Sequence, residues 1–84
     1  MKRVVYSRDA LRTLARVPSN VAATIRKKVV QYASQPASLA NNVKALKGEK
    51  GSFRLRVGDW RVVFIEDAKS VVVVRIAPRG RAYD

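Results

Sequence analysis

Residues 53–64 read FRLRVGDWRVVF, and this stretch decides the fold. Apolar and basic residues alternate with a period of two on both sides of Gly58-Asp59, the pattern of a strand pair with one buried face. A two-residue connection with glycine first suits a type II′ turn. That turn sets Val57 opposite Trp60, Arg56 opposite Arg61, Leu55 opposite Val62, Arg54 opposite Val63 and Phe53 opposite Phe64. One face then carries Phe53, Leu55, Val57, Trp60, Val62 and Phe64, an apolar surface that requires a cover. The other carries Arg54, Arg56, Arg61, Val63 and Ile65. Arginines directly opposite each other destabilise a strand pair, by a few tenths up to about 1 kcal/mol. An anion bound between them reverses the sign, so the pattern points to an anion-binding face.

The cover comes from the N-terminal half. Residues 3–6 form a short strand, and Ser7 offers an N-cap to a helix over RDALRTLARV, with Asp9 near the positive end of its dipole. Leu11, Leu14 and Ala15 are expected on its apolar face, with Arg12, Thr13 and Arg16 opposite. Pro18 ends it and Ser19 can cap the next helix. That helix runs from about residue 20 to 33 or 34 on an apolar stripe of Val21, Ile25, Val29 and Tyr32, widened by Ala22 and Ala33, and Pro36 stops it. QPASLANN reads as a loop. VKALKGEKGS holds a short extended piece at 43–46 and then a glycine-rich turn. Strands follow at 53–57, 60–66 and 71–77. In the last, Val72, Val74 and Ile76 alternate with Val71, Val73, Arg75 and Ala77. Extended geometry past Pro78 would bring Arg79 out with the parity of Arg75. The chain is thus expected to be one α+β domain over residues 1–84, an N-terminal strand and helical hairpin packed on a small antiparallel sheet in the order β-α-α-β-β-β.

Charge indicates the partner class. The 84 residues include 18 basic and 6 acidic side chains, a net +12. No acid occurs between Asp9 and Glu49. Such a field suits a polyanion, either nucleic acid or an acidic protein. With no cysteine and no histidine, disulfides, a Cys/His metal site and a histidine general base are all excluded. Metal and small-molecule cofactors are not expected. The longest apolar run, VVVVRIA, is too short to span a bilayer, and MKRVVYSRD lacks the hydrophobic region of a signal peptide. A cytoplasmic location is the expectation, with no membrane partner. Trp60 shares the parity of Leu55 and Phe64 and belongs to the core, and Tyr6 and Tyr32 to the core or its edge. Tyr83, in the polar tail PRGRAYD, has no apolar neighbours to pack it and is a candidate functional residue.

LKG, FRLRVGDWRVVF, the Val-rich strand and RGRAY together resemble the RelE/ParE toxin superfamily of bacterial type II toxin–antitoxin modules, over essentially the whole chain. The resemblance implies a small sheet under a helical hairpin. It also implies a metal-independent, ribosome-dependent mRNA endoribonuclease that inhibits translation, with contacts to ribosomal RNA and a cognate acidic antitoxin as partner. By position, Arg54 and Arg56 match the two basic residues of the first central strand, Arg61 the arginine of the second, Arg79 the arginine after the last strand and Tyr83 the C-terminal tyrosine. Many members carry HR near Arg79 where this chain has PR. ParE-like members share the fold but poison DNA gyrase; that alternative, and a non-catalytic RNA-binding member, stay open.

Cleavage by a 2′-hydroxyl requires its deprotonation, in-line placement, stabilisation of phosphorane charge and protonation of the leaving 5′-oxygen. Arginine makes forked, charge-assisted hydrogen bonds to phosphate oxygens but is a poor proton carrier. Arg56, Arg61 and Arg79 therefore suit charge stabilisation and positioning, and Tyr83 acid–base work or stacking. Arg54, Arg75, Arg81 and Lys47 are expected to bind RNA.

Overall fold

The computed structural model describes residues 1–48 and 50–78. Strand β1 (Arg3–Tyr6) leads into helices α1 (Arg8–Arg16) and α2 (Ser19–Ser34), a 3-10 segment (Pro36–Asn42), then β2 (Val43–Ala45), β3 (Ser52–Val57), β4 (Trp60–Glu66) and β5 (Ser70–Pro78). The sheet order is β1-β5-β4-β3-β2. The pairings of β2 with β3, β3 with β4 and β4 with β5 are antiparallel, as expected, whereas β1 and β5 run parallel. Topology requires this: the helical hairpin returns the chain to the end of the sheet it left. Four alternating strands from there make β5 run the same way as β1.

The hairpin adopts the expected register pair for pair, from Phe53 with Phe64 to Val57 with Trp60. Gly58 takes φ +59°, and no non-glycine described has positive φ, so the turn is of the type II′ class. The faces separate as the alternation requires. Leu55, Val57, Val62 and Phe64 are buried with Ile25, Val29, Tyr32 and Ala33 of α2, and Phe53 and Trp60 pack at the edge of that core. Phe64 is its hub, with Tyr32 tilted against it at 4.9 Å and Phe53 stacked at 5.5 Å between ring centroids. Tyr6 is half-buried, with the Arg26 guanidinium 5.3 Å above its ring.

Four local expectations are corrected. In α1 the buried pair is Ala10 and Leu14, while Leu11 and Ala15 are exposed, because this helix touches the sheet along a narrow strip over β5. Ser19 does not cap α2; Pro18 occupies the cap position with no side-chain bond, and Ser19 is the first helical residue. The expected loop at 35–42 is a 3-10 segment. It is held by the burial of Leu39 and by Ser38 Oγ, which donates to the Gln35 carbonyl at 2.7 Å and accepts from Gln31 Nε2 at 3.0 Å.

The fourth correction shapes the outer face. Val63 pairs with Arg75 but Phe64 pairs with Val73, so Val74 is an extra residue in β5, a β-bulge. Unbroken alternation would put Arg75 on the same face as the buried Val71 and Val73, under the helices. The bulge resets the parity: Ile76 joins Val71 and Val73 in the core, and Arg75 is exposed on the opposite face, level with Arg54. Ser7 spans this point. Its Oγ accepts from Ala10 N at 3.0 Å, capping α1 as expected, and donates to the Val74 carbonyl at 2.9 Å.

At the far end of the sheet, Glu66 joins three elements. Its Oε1 accepts the Tyr32 hydroxyl at 2.6 Å and its Oε2 accepts Lys2 Nζ at 2.6 Å. Burial first, then the carboxylate that accepts its proton, hold the Tyr32 phenol well above its ordinary pKa of 10.

Candidate functional site

The sheet face turned away from the helices carries the basic residues in cross-strand rows. Lys44 of β2 pairs with Arg54 of β3, Arg54 with Val63 of β4, and Val63 with Arg75 of β5. The next row is Arg56, Arg61 and Ala77. Two-residue periodicity and a ladder spacing of about 4.8 Å thus bring charges distant in sequence side by side.

Arg54, Arg56 and Arg61 line one cleft of about 250 Å³ together with Lys44, Asn41 and Asn42. Its lining has four cationic side chains and, among the described residues, no carboxylate. The three arginines differ in burial. Arg56 is exposed, Arg54 is half-buried, and Arg61 retains 8% of its surface although it lies on the outer face. Val63 and Ala77 beside it are buried too, so this part of the face is a floor rather than a solvated surface. A partly desolvated guanidinium acts on an anion through a lower local dielectric, which strengthens attraction. Three guanidinium forks and one ammonium in a concave site suit a phosphodiester, whose non-bridging oxygens accept bidentate hydrogen bonds.

Of the other expected site residues, Arg75 lies on the same face in the row of Lys44 and Arg54, and Lys47 is exposed in the turn after β2; both are outside the cleft lining. Arg79, Arg81 and Tyr83 lie outside the described residues. Sequence reading missed Lys44, Asn41 and Asn42. Lys44 emerges only from the register of β2 on β3, which sets it opposite Arg54.

A second concavity, of about 260 Å³, lies between the N-terminal half of α2 and the β3–β4 turn. Val21, Ile25, Val57 and Trp60 give it apolar walls and it carries no basic side chain, so it lacks the chemistry of a phosphate site.

Comparison with known proteins agrees with this architecture. The family model described as the ParE toxin of the type II toxin–antitoxin system parDE matches residues 4–83. No curated protein matches the sequence. A chain of the archaeal RelE–RelB complex of Pyrococcus horikoshii superposes with TM-score 0.80 at 23% identity, covering 96% of this chain and 98% of that one. The isolated Escherichia coli RelE toxin gives TM-score 0.77 at 21% identity, with 98% and 88% covered. For the toxin–antitoxin complex RelBE2 of Mycobacterium tuberculosis the values are 0.68, 26%, 93% and 98%.

Proposed function

This chain belongs to the ParE toxin family of type II toxin–antitoxin systems, and from that premise we propose that it is a metal-independent endoribonuclease that cuts mRNA on the ribosome. One observation carries the reading: Arg54, Arg56 and Arg61 converge with Lys44 on a single cleft of the uncovered sheet face. In this reading Arg56 and Arg61 stabilise the charge that develops on the scissile phosphate, and Arg54 and Arg75 hold flanking phosphates. Arg79 and Tyr83 complete the catalytic group, Tyr83 as the proton-transferring or base-stacking member, with Arg81 and Lys47 as further RNA contacts. Arginines supply electrostatics but little proton transfer. The ribosome, by fixing the 2′-hydroxyl in line with the leaving oxygen, supplies the positioning that this protein lacks alone.

The acidic partner follows from the same charge. A net +12 chain with a cationic cleft is neutralised by an anionic segment of an antitoxin lying on the sheet or the helical hairpin. Both the P. horikoshii and M. tuberculosis relatives were crystallised as complexes with their antitoxins. The site of action is the cytoplasm, where ribosomes are engaged; no described helix is long and apolar enough to cross a membrane.

A second reading, poisoning of DNA gyrase, is favoured by the ParE description of the matching family model. Mapping mRNA 5′ ends after brief induction separates the two. New in-frame ends within translated codons, lost in Arg61→Ala, are expected. Intact mRNA together with gyrase-dependent DNA breaks would overturn the ribonuclease reading.

A further inference from the structure

The cations of the cleft grip phosphates, which are alike at every nucleotide, so they confer no base preference. Two neutral side chains sit at the same cleft. Asn41 and Asn42 end the 3-10 segment and lead directly into β2. Val43 pairs with Leu55, so Asn42, directly before it, enters β2 at the end of the pairing nearest Arg56, and both asparagines line the cleft with Arg56 and Arg61. Asn41 is exposed and Asn42 half-buried. Neither carboxamide is used in a hydrogen bond among the described residues.

A carboxamide offers a donor and an acceptor side by side, the complement of a nucleobase edge. Unpaired RNA bases are read in this way, by hydrogen bonds along their edges once they are splayed from the stack. Resting on the ribonuclease reading above, we propose that Asn41 and Asn42 are specificity-determining residues, which read the base of the nucleotide whose phosphate is held by Arg56 and Arg61. The arginines fix where the backbone lies, and the asparagines select which base is accepted there.

The experiment compares cleavage across a panel of ribosome-bound mRNAs that differ only in the A-site codon. The readout is the ratio of rates among codons rather than the rate itself. Wild type should prefer some bases at one codon position. A well-placed bidentate contact gives discrimination of roughly 5- to 150-fold. Replacing both asparagines with alanine should bring the ratios at that position close to one. Asn42→Asp gives a sharper signature. A carboxylate only accepts, so the profile should move toward guanine, whose N1–H and 2-amino group donate side by side, and away from adenine and cytosine, which set a ring-nitrogen acceptor beside their amino group. Thermal melting of each variant checks folding. If the alanine variant keeps the wild-type ratios, or loses rate equally at all codons, the asparagines do not read bases and the inference fails. Absence of cleavage by wild type would sink the ribonuclease reading and this inference with it, a result distinct from cleavage with an unchanged profile.

Discussion

Ser7→Ala tests the junction on which the arginine face depends. The hydroxyl makes two bonds at once, accepting from Ala10 N at 3.0 Å and donating to the Val74 carbonyl at 2.9 Å in the bulge. Loss of an N-cap serine costs about 1 kcal/mol, within a range of about 0.5–2. Loss of the bond to a partly buried carbonyl adds about 0.5–1.5 kcal/mol. The total is about 2 kcal/mol. A domain of this size shifts its Tm by about 4–8 °C per kcal/mol, so a fall of about 8–16 °C is expected. Two companion variants divide the effect. Ser7→Asn can both accept and donate and should recover most of the loss, whereas Ser7→Asp only accepts, should keep the cap, and places negative charge against the Val74 carbonyl. Thermal unfolding followed by circular dichroism at neutral pH gives the three values. A Ser7→Ala protein melting within about 2 °C of wild type, or an aspartate variant as stable as the asparagine one, would refute the assignment of two independent bonds to this hydroxyl.

Further expectations concern the core, the far end of the sheet and the cleft. Leu55→Ala truncates a fully buried side chain and should destabilise by about 2–4 kcal/mol in denaturant titration. Tyr32→Phe removes a hydrogen bond to a carboxylate and should cost about 1.5–3 kcal/mol. The same bond predicts a pH effect. Because the folded-state pKa of Tyr32 lies above the unfolded value of 10, its stabilisation is complete below pH 10 and is lost as pH rises from there; the alkaline fall in Tm should therefore be shallower in Tyr32→Phe than in wild type. Arg56→Ala should leave Tm nearly unchanged, since the side chain is exposed, yet weaken binding to single-stranded RNA and reduce the slope of log K against log salt by about 0.7. An unchanged slope would place Arg56 outside the phosphate path.

The hairpin was legible residue by residue because its information is local. A two-residue turn beginning with glycine admits one register, and period-two alternation then assigns each side chain to a face. The stripe Ile25, Val29 and Tyr32 was equally legible from its spacing along one helix. Arg54, Arg56 and Arg61 could therefore be placed together from sequence alone. Lys44, Asn41 and Asn42 could not, because a three-residue strand has too little alternation to reveal its partner, and its pairing with β3 is a contact across the intervening turn.

Sequence by itself determined the charge, the hairpin register and the helical cover, each of which depends on residues close together in the chain. The tertiary structure alone decided the parity of β5. Read as a strict alternation, VVVVRIA puts Arg75 on the face of Val71 and Val73, and an arginine there would be buried beneath α1 without water. The bulge at Val74 resolves the conflict by giving up one ladder position. Its place is set by β4, α1 and Ser7 together, three elements that only the folded chain brings to one point.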